Sequence, residues 1–307
     1  MGIGDYCRFD CLLWFGIAYL GRSSFGSGLD GLPNGFTRLG VLAWWEGGNV
    51  LNMDTRTIAA SDAHAPYHDQ HAFDLFLKVV TIFQPNLIVL NGDWLDFYAC
   101  SAYDKDPERL KNGRLQDELD QFKGLMRRLI PICPNDCRKV FIPGNHEDRL
   151  RRYLWRNSTL HGLEALELPN LLGLADFGID YEPKEVKLAG GNLVIKHGTK
   201  VRPKAGASAM AELEAEKYSV STITGHTHRI GSTLVTHRGG TVGAWEGGCL
   251  CSLKVAEDYV AGKPDWQLGI TTIYSDSTSD AFSVVPVAFL GEGPSMKAVL
   301  EGRLIRL

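Results

Sequence analysis

The sequence predicts an α/β fold in which two packed sheets are flanked by helices, and three observations point there. From about Thr55, short apolar runs alternate with segments whose apolar residues recur at helical spacing. From about residue 219 onward, strand-like segments separated by glycines take over and no convincing helix follows, a succession that suits packed sheets with helices outside them. The chain of 307 residues is 44% hydrophobic and 22% charged, enough for a single large α/β domain with a substantial core.

Taken in order, "RTIAAS" (56–61) is a short apolar run suited to a buried strand. Phe73, Phe76, Val80 and Phe83 then mark one helical face, and Pro85 closes that helix. "NLIVLNGD" (86–93) reads as the second strand. Leu115, Leu119, Phe122, Met126 and Leu129 share one face of a helix that Pro131 ends. "KVFIP" (139–143) is the third strand, and "EDRLRRYLWR" (147–156) has a helical composition. After an irregular stretch come "NLVIKHG" (192–198), an Ala- and Glu-containing helix near 205–217, and "SVSTITGHTHR" (219–229). Residues 98–135 and 157–190 lie between the corners described below and are expected to shape access to them.

Residues 1–50 read differently, as an N-terminal extension preceding a domain at 51–307. Their one apolar run, "CLLWFGIAYL" (11–20), is short of the roughly 20 residues that span a bilayer, so no membrane association is expected. Asp5 and Asp10 offset Arg8, and no small-x-small site follows, which argues against a signal peptide. A loosely packed extension, an apolar arm and residues upstream of the true start all stay open. The net charge of −4 gives no global pull toward nucleic acid. Seven scattered cysteines make a disulfide framework improbable and fit a reducing cytoplasm. The pairs Cys133/Cys137 and Cys249/Cys251 have no second pair at zinc-finger spacing, so free, partly buried thiols are the preferred reading.

The apolar strands repeatedly end in polar residues able to bind metal: Asp62-Ala63-His64, Gly92-Asp93-Trp94-Leu95-Asp96, Gly144-Asn145-His146-Glu147, His197-Gly198 and Gly225-His226-Thr227-His228. Ligand sites of open α/β sheets lie beyond the carboxyl ends of strands, so the five corners can converge. Singly each is weak. A Gly-Asp is usually a turn, and a histidine after a strand is more often a hydrogen-bonded edge residue than a ligand. Jointly, five such corners using five of the nine histidines are not an accident of composition.

The series "DAH", "GDWLD", "GNHE", "KHG" and "GHTH" resembles the calcineurin-like metallophosphoesterase superfamily, and most closely its compact bacteriophage and bacterial members. The resemblance covers about residues 55–230 by motif, with the strand-rich tail to about 290 fitting the second sheet. It implies a four-layer α-β-β-α sandwich of two mixed sheets with a dinuclear metal site at the strand ends. It further implies that Asp62, His64, Asp93 and His228 hold one ion. Asp93 bridges to a second, completed by Asn145, His197 and His226. His146 sits by the leaving group, oriented by Asp96.

The donor chemistry agrees with that implication. Oxygen and nitrogen ligands without thiolate suit Mn²⁺, the favoured ion here, as well as Zn²⁺, Fe or Co²⁺. Two such ions about 3.5–4 Å apart can share and acidify a water for in-line attack on phosphorus. An imidazolium at His146 can protonate the leaving oxygen while Asp96 keeps it charged and aligned. Arg149 at the start of the following helix is a candidate phosphate contact, and His68 a candidate substrate contact; a solvated helix face paired with Glu147 or Asp148, and a surface loop, are the plain alternatives.

Departures narrow the substrate. Asp96 stands where purple acid phosphatases have a tyrosine, and Phe97-Tyr98 stand where serine/threonine protein phosphatases have Arg-Gly. The expected activity is hydrolysis of a phosphate ester, foremost a phosphodiester of a nucleotide-like small molecule. A DNA or RNA nuclease of the same superfamily is the alternative, and a metal-binding scaffold for a protein partner is the non-enzymatic one. Scaffold members have lost ligands, whereas every expected ligand position is filled here.

Overall fold

A computed structural model describes residues 54–102, 114–198, 220–255 and 264–307. The extension at 1–50, the helix expected near 205–217, Cys7 and Cys11 lie outside the described residues. Four parallel strands follow the sequence: β1 (Thr55–Ala60), β2 (Leu87–Asn91), β3 (Arg138–Ile142) and β4 (Ile179–Tyr181). Among the later strands are β5 (Val186–Leu188), β6 (Leu193–Lys196), β7 (Ser221–Thr224), β8 (Ile230–His237) and β9 (Gly240–Gly247). They are followed by β10 (Gly269–Ser275), β11 (Phe282–Ala288) and a terminal hairpin of β12 (Lys297–Leu300) and β13 (Arg303–Arg306). The first sheet runs β11-β10-β1-β2-β3-β4 and the second β5-β6-β7-β9-β8, and both mix parallel and antiparallel pairs.

Alternation along the strands explains how the layers stack, because successive side chains point to opposite faces. Ala59, Val89, Val140 and Ile142 pack with Leu193, Ile195 and Ile223 of the second sheet in one buried cluster. Their neighbours Ile58, Ile88, Leu90 and Phe141 face the other way, into the cluster that holds the helices. Strands buried on both faces need the unbroken apolar runs that "TIAA" and "LIVL" supply.

Helix α1 (Gln70–Phe83) buries Phe73, Phe76, Val80 and Phe83, the residues its periodicity selects. The Asp69 carboxylate accepts the Ala72 N–H at 2.8 Å and caps its start. Gln84, in left-handed backbone (φ 51°), ends it one residue before Pro85. Helix α2 (Leu115–Leu129) buries Leu119, Phe122, Met126 and Leu129 beside it. Helix α3 (Glu147–Arg156) starts directly after Asn145 and His146. The stretch 157–190 is more regular than the sequence suggests: it contains the short helix α4 (Leu168–Leu172) as well as β4 and β5. No helix among the described residues is long and apolar enough to cross a membrane.

Candidate metal centre

Each strand ends, and within two residues the backbone turns sharply. Asp62, His64, Asp93, His226 and His228 all take positive φ, between 49° and 69°. Such conformations cost about 1–3 kcal/mol each in non-glycine residues and persist where the surroundings impose them, commonly at functional sites. The motif glycines make room for the turns. A Cβ on Gly144 would lie 2.1 Å from Asp93 Oδ1, and one on Gly92 (φ 81°) would lie 2.4 Å from His197 Nδ1.

The turns gather two sets of donors. In the first, Asp62 Oδ1 lies 3.1 Å from His228 Nε2, and His64 Nε2 lies 3.1 Å from the same nitrogen. In the second, Asp93 Oδ2 lies 3.1 Å from His197 Nε2, with the His226 ring packed edge-on to His197. The ligand atoms of Asp62, His64 and His228 lie within 4.8 Å of one another, as do those of Asp93, His197 and His226. Backbone amides hold both carboxylates in place: Asp62 accepts the His226 N–H and Asp93 Oδ1 accepts the His146 N–H at 2.8 Å.

Among the predicted ligands, two buried atoms lack hydrogen-bond partners. Asn145 Oδ1 has none, and His197 Nε2, although near Asp93, is not in line to bond it. His197 Nδ1 is 2.8 Å from the Asn91 carbonyl, which accepts its proton and leaves Nε2 to face the cluster. Buried polar atoms are normally satisfied, so an orphaned amide oxygen and an orphaned imidazole nitrogen aimed at carboxylates fit a cation as their missing partner. The oxygen and nitrogen donor set also fits a divalent first-row ion.

Electrostatics point the same way. Burial opposes charge on His197 and His228, yet the Asp93 and Asp62 carboxylates outweigh it and push both up to about 10. Burial and the neighbouring His146 bring His64 down to about 4. Burial also works against ionised Asp93, but His197 and His146 hold it well below the ordinary carboxylate range. The cluster is thus negative enough to draw positive charge into a buried place.

His146 and Asp96 sit at the rim. His146 Nδ1 is 2.9 Å from Asp96 Oδ1 and 3.0 Å from its carbonyl, so the ring turns Nε2 away from Asp96. Arg149 donates to the Asp96 carbonyl at 2.8 Å and its other terminal nitrogen lies 2.9 Å from His146 Nε2. Burial disfavours Asp96 ionisation, but hydrogen bonds from His146 and His64 lower it far below the usual value. A cavity of about 140 Å³ over the cluster is lined by His64, Asp93, Asn145, His146, Tyr67 and Trp266, among others.

His68 is placed elsewhere. Its ring lies against Phe73 and it is not among the residues lining that cavity. On α3, Asp148, one of the two partners the plain alternative named, pairs with Arg151 and Arg152, while Glu147 turns inward. The Glu147 carboxylate is buried and accepts four backbone N–H groups, from Asp93, Trp94, Leu95 and Gly144 at 2.7–3.1 Å. It ties the β2 and β3 corners to each other. Burial, and then the charge of Asp93, push it up to about 7. The sequence carried a signal for this role only in the position of Glu147 as the last residue of "GNHE".

A second buried carboxylate, Glu118 on α2, accepts the Phe97 N–H at 2.6 Å and supports the Asp96 corner, where Phe97 is left-handed (φ 47°). Burial, then Asp96, push it up from 4.5 to about 8. Below 4.5 the group is protonated folded or unfolded. Above it the unfolded chain gives up its proton first, so this group's contribution to stability drains away until the folded carboxyl ionises near 8. Glu118→Gln keeps an acceptor and carries no titratable proton. Its stability relative to the parent is therefore expected to rise as pH rises from about 5 to about 8, measured by urea unfolding; a pH-independent difference contradicts this.

Comparison with known proteins agrees with this geometry. A sequence model of the calcineurin-like phosphoesterase family matches residues 55–229, more than half of the chain. The chain is 26% identical over 249 residues to the Gene 54 protein of Mycobacterium phage L5, covering 76% of this chain and 94% of that protein. It is also 26% identical over 246 residues to the Gene 54 protein of Mycobacterium phage D29, with the same coverage. Among solved structures, Vacuolar Protein Sorting 29 from Cryptosporidium parvum is similar at 14% identity and a TM-score of 0.37, covering 82% of this chain and 94% of that one. YfcE, a phosphoesterase from E. coli, is similar at 12% identity and a TM-score of 0.35, covering 75% and 98%. The family match, over the same stretch that supplies the five strand-end corners, decides the assignment: the chain belongs to the calcineurin-like phosphoesterase family.

Proposed function

We propose that the chain is a dinuclear metal-dependent phosphoesterase that hydrolyses a phosphodiester of a nucleotide-like small molecule. The observation that carries this reading is the pair of oxygen and nitrogen triads, Asp62/His64/His228 and Asp93/His197/His226, buried except for the half-buried His226. Asp62, His64, Asp93 and His228 would hold one ion, and Asp93, Asn145, His197 and His226 the other, with Mn²⁺ the favoured metal. When bound, the ions would neutralise charge at the phosphoryl oxygens and acidify a water.

The chain's own residues do the rest. Asp96 fixes the His146 ring by its Nδ1 side, so that Nε2 is the nitrogen able to pass a proton to the leaving oxygen. Arg149 now occupies that nitrogen. A phosphate oxygen entering the corner replaces the imidazole as acceptor of the guanidinium, which clamps the ester and frees His146 Nε2 to take up from solvent the proton it then passes to the leaving oxygen. Two substituents on phosphorus need space on two sides of the site. A groove of about 700 Å³ begins at the other face of Asn145, lined in part by Tyr181, His161 and Arg151, and supports a diester over a bare monoester.

The test is His146→Ala assayed on diesters of graded leaving-group acidity. Turnover should fall by roughly 10²–10⁴-fold on a poor leaving group and far less on p-nitrophenolate, with metal content unchanged. Near-normal turnover on the poor leaving group removes His146 from the proton transfer.

A further inference from the structure

His228 has a second face that the phosphoesterase reading does not use. While its Nε2 lies beside Asp62 and His64, its Nδ1 is 3.9 Å from Cys251 Sγ. The sulfurs of Cys249 and Cys251 and a ring nitrogen of His228 all lie within 4.8 Å of one another. Both cysteines are buried and neither forms a disulfide.

This grouping is fixed by backbone. Cys249-Leu250-Cys251 follows β9, and all three residues are buried in the main hydrophobic cluster. The Leu250 N–H donates to the Asp62 carbonyl at 3.2 Å, and the Leu250 carbonyl accepts the Asp69 N–H at 2.8 Å. Cys249 exchanges backbone bonds with Gln267 and Gly269, and Cys251 bridges to His68. The same strap that positions Asp62 thus holds two thiols behind His228. Cys251 and Trp266 also line the cavity over the cluster, which gives a cation a route in.

We infer that Cys249 Sγ, Cys251 Sγ and His228 Nδ1 form a binding site for one soft divalent cation, Zn²⁺ or Cd²⁺. Two sulfurs and one imidazole nitrogen are the donor set such ions prefer, and the opposite of the oxygen-rich set across the ring. Binding forms two metal–sulfur bonds and one metal–nitrogen bond; with His228 Nε2 engaged by the Mn²⁺ centre, the two thiol protons and the Nδ1 proton of His228 pass to solvent, with no change of oxidation state. A water from the cavity completes the fourth position. Given the phosphoesterase reading, occupancy here pulls on a histidine shared with that centre, so the soft cation inhibits hydrolysis.

The test is titration of the Mn²⁺-loaded full chain with Cd²⁺, following thiolate-to-metal absorption and proton release. The expected result is saturation at one equivalent, weakened at least about tenfold in Cys249→Ser and in Cys251→Ser and unchanged in Cys133→Ser. Absorption that ignores both substitutions, or that disappears with Cys133, overturns the site. X-ray absorption of the unsubstituted chain with one equivalent of Cd²⁺ is independent of how the variants fold. Two sulfur neighbours are expected, and a shell of oxygen and nitrogen alone overturns the proposal. Neither readout requires hydrolysis. A chain that hydrolyses esters without binding Cd²⁺ through sulfur refutes only this site, and one that binds Cd²⁺ without hydrolysing anything refutes only the phosphoesterase reading.

Discussion

Asp93→Asn is expected to lower kcat/KM for phosphate-ester hydrolysis by more than about a thousandfold, the equivalent of several kcal/mol of transition-state stabilisation. Asp93 is the carboxylate of the second triad and, in the proposed centre, the one shared with the first ion. One oxygen is 3.1 Å from His197 Nε2, and the other is pinned by the His146 N–H at 2.8 Å. Asparagine keeps the shape and removes a buried negative charge from the proposed centre. Metal content measured after dialysis should fall from two ions toward one, while the thermal unfolding profile of the metal-free protein stays close to that of the parent. Retention of both ions and of activity within about tenfold contradicts the bridging role.

Glu147→Ala is expected to have the largest effect on stability, a loss of about 3–5 kcal/mol. Alanine removes the common acceptor of the Asp93, Trp94, Leu95 and Gly144 amides. Each donor left without a partner costs about 1–3 kcal/mol, less where water can enter. Glu147→Gln retains one carbonyl oxygen and should fall between the two. The midpoint of urea unfolding measures the loss. Metal affinity should weaken as well, because the freed corners carry Asp93 and Asn145. A loss below about 1 kcal/mol means that water replaces the carboxylate and that the corners hold themselves.

The contrast between these two residues shows what a sequence can and cannot say. Asp93 is legible because the chemistry limits which residue types serve as donors, and because the apolar run "NLIVLN" announces a strand end just before it. Asn145, His197, His226 and His228 are legible for the same reason, and the periodicity of Phe73 to Phe83 and of Leu115 to Leu129 locates α1 and α2. Glu147 looks like any acidic residue in a first helical turn beside Asp148 and several arginines. Its inward turn depends on how close the β2 corner comes, which is a tertiary fact with no local pattern. Strands β4 and β5 are three residues each, too short for alternation to register. His68 lies four positions from His64, yet the backbone between them turns its ring onto Phe73. Cys251 read as one free thiol among several, because nothing in its own neighbourhood reveals that Leu250 is strapped to Asp62.

The most direct measurement titrates Mn²⁺ into the chelator-treated protein while following both bound metal and hydrolysis of bis-p-nitrophenyl phosphate and p-nitrophenyl phosphate. Hydrolysis should be absent without metal, appear as the second of two ions binds, favour the diester, and disappear again on chelation. Two bound ions with no hydrolysis of either ester, or hydrolysis that survives chelation, would contradict a dinuclear phosphoesterase built on the Asp62 and Asp93 triads.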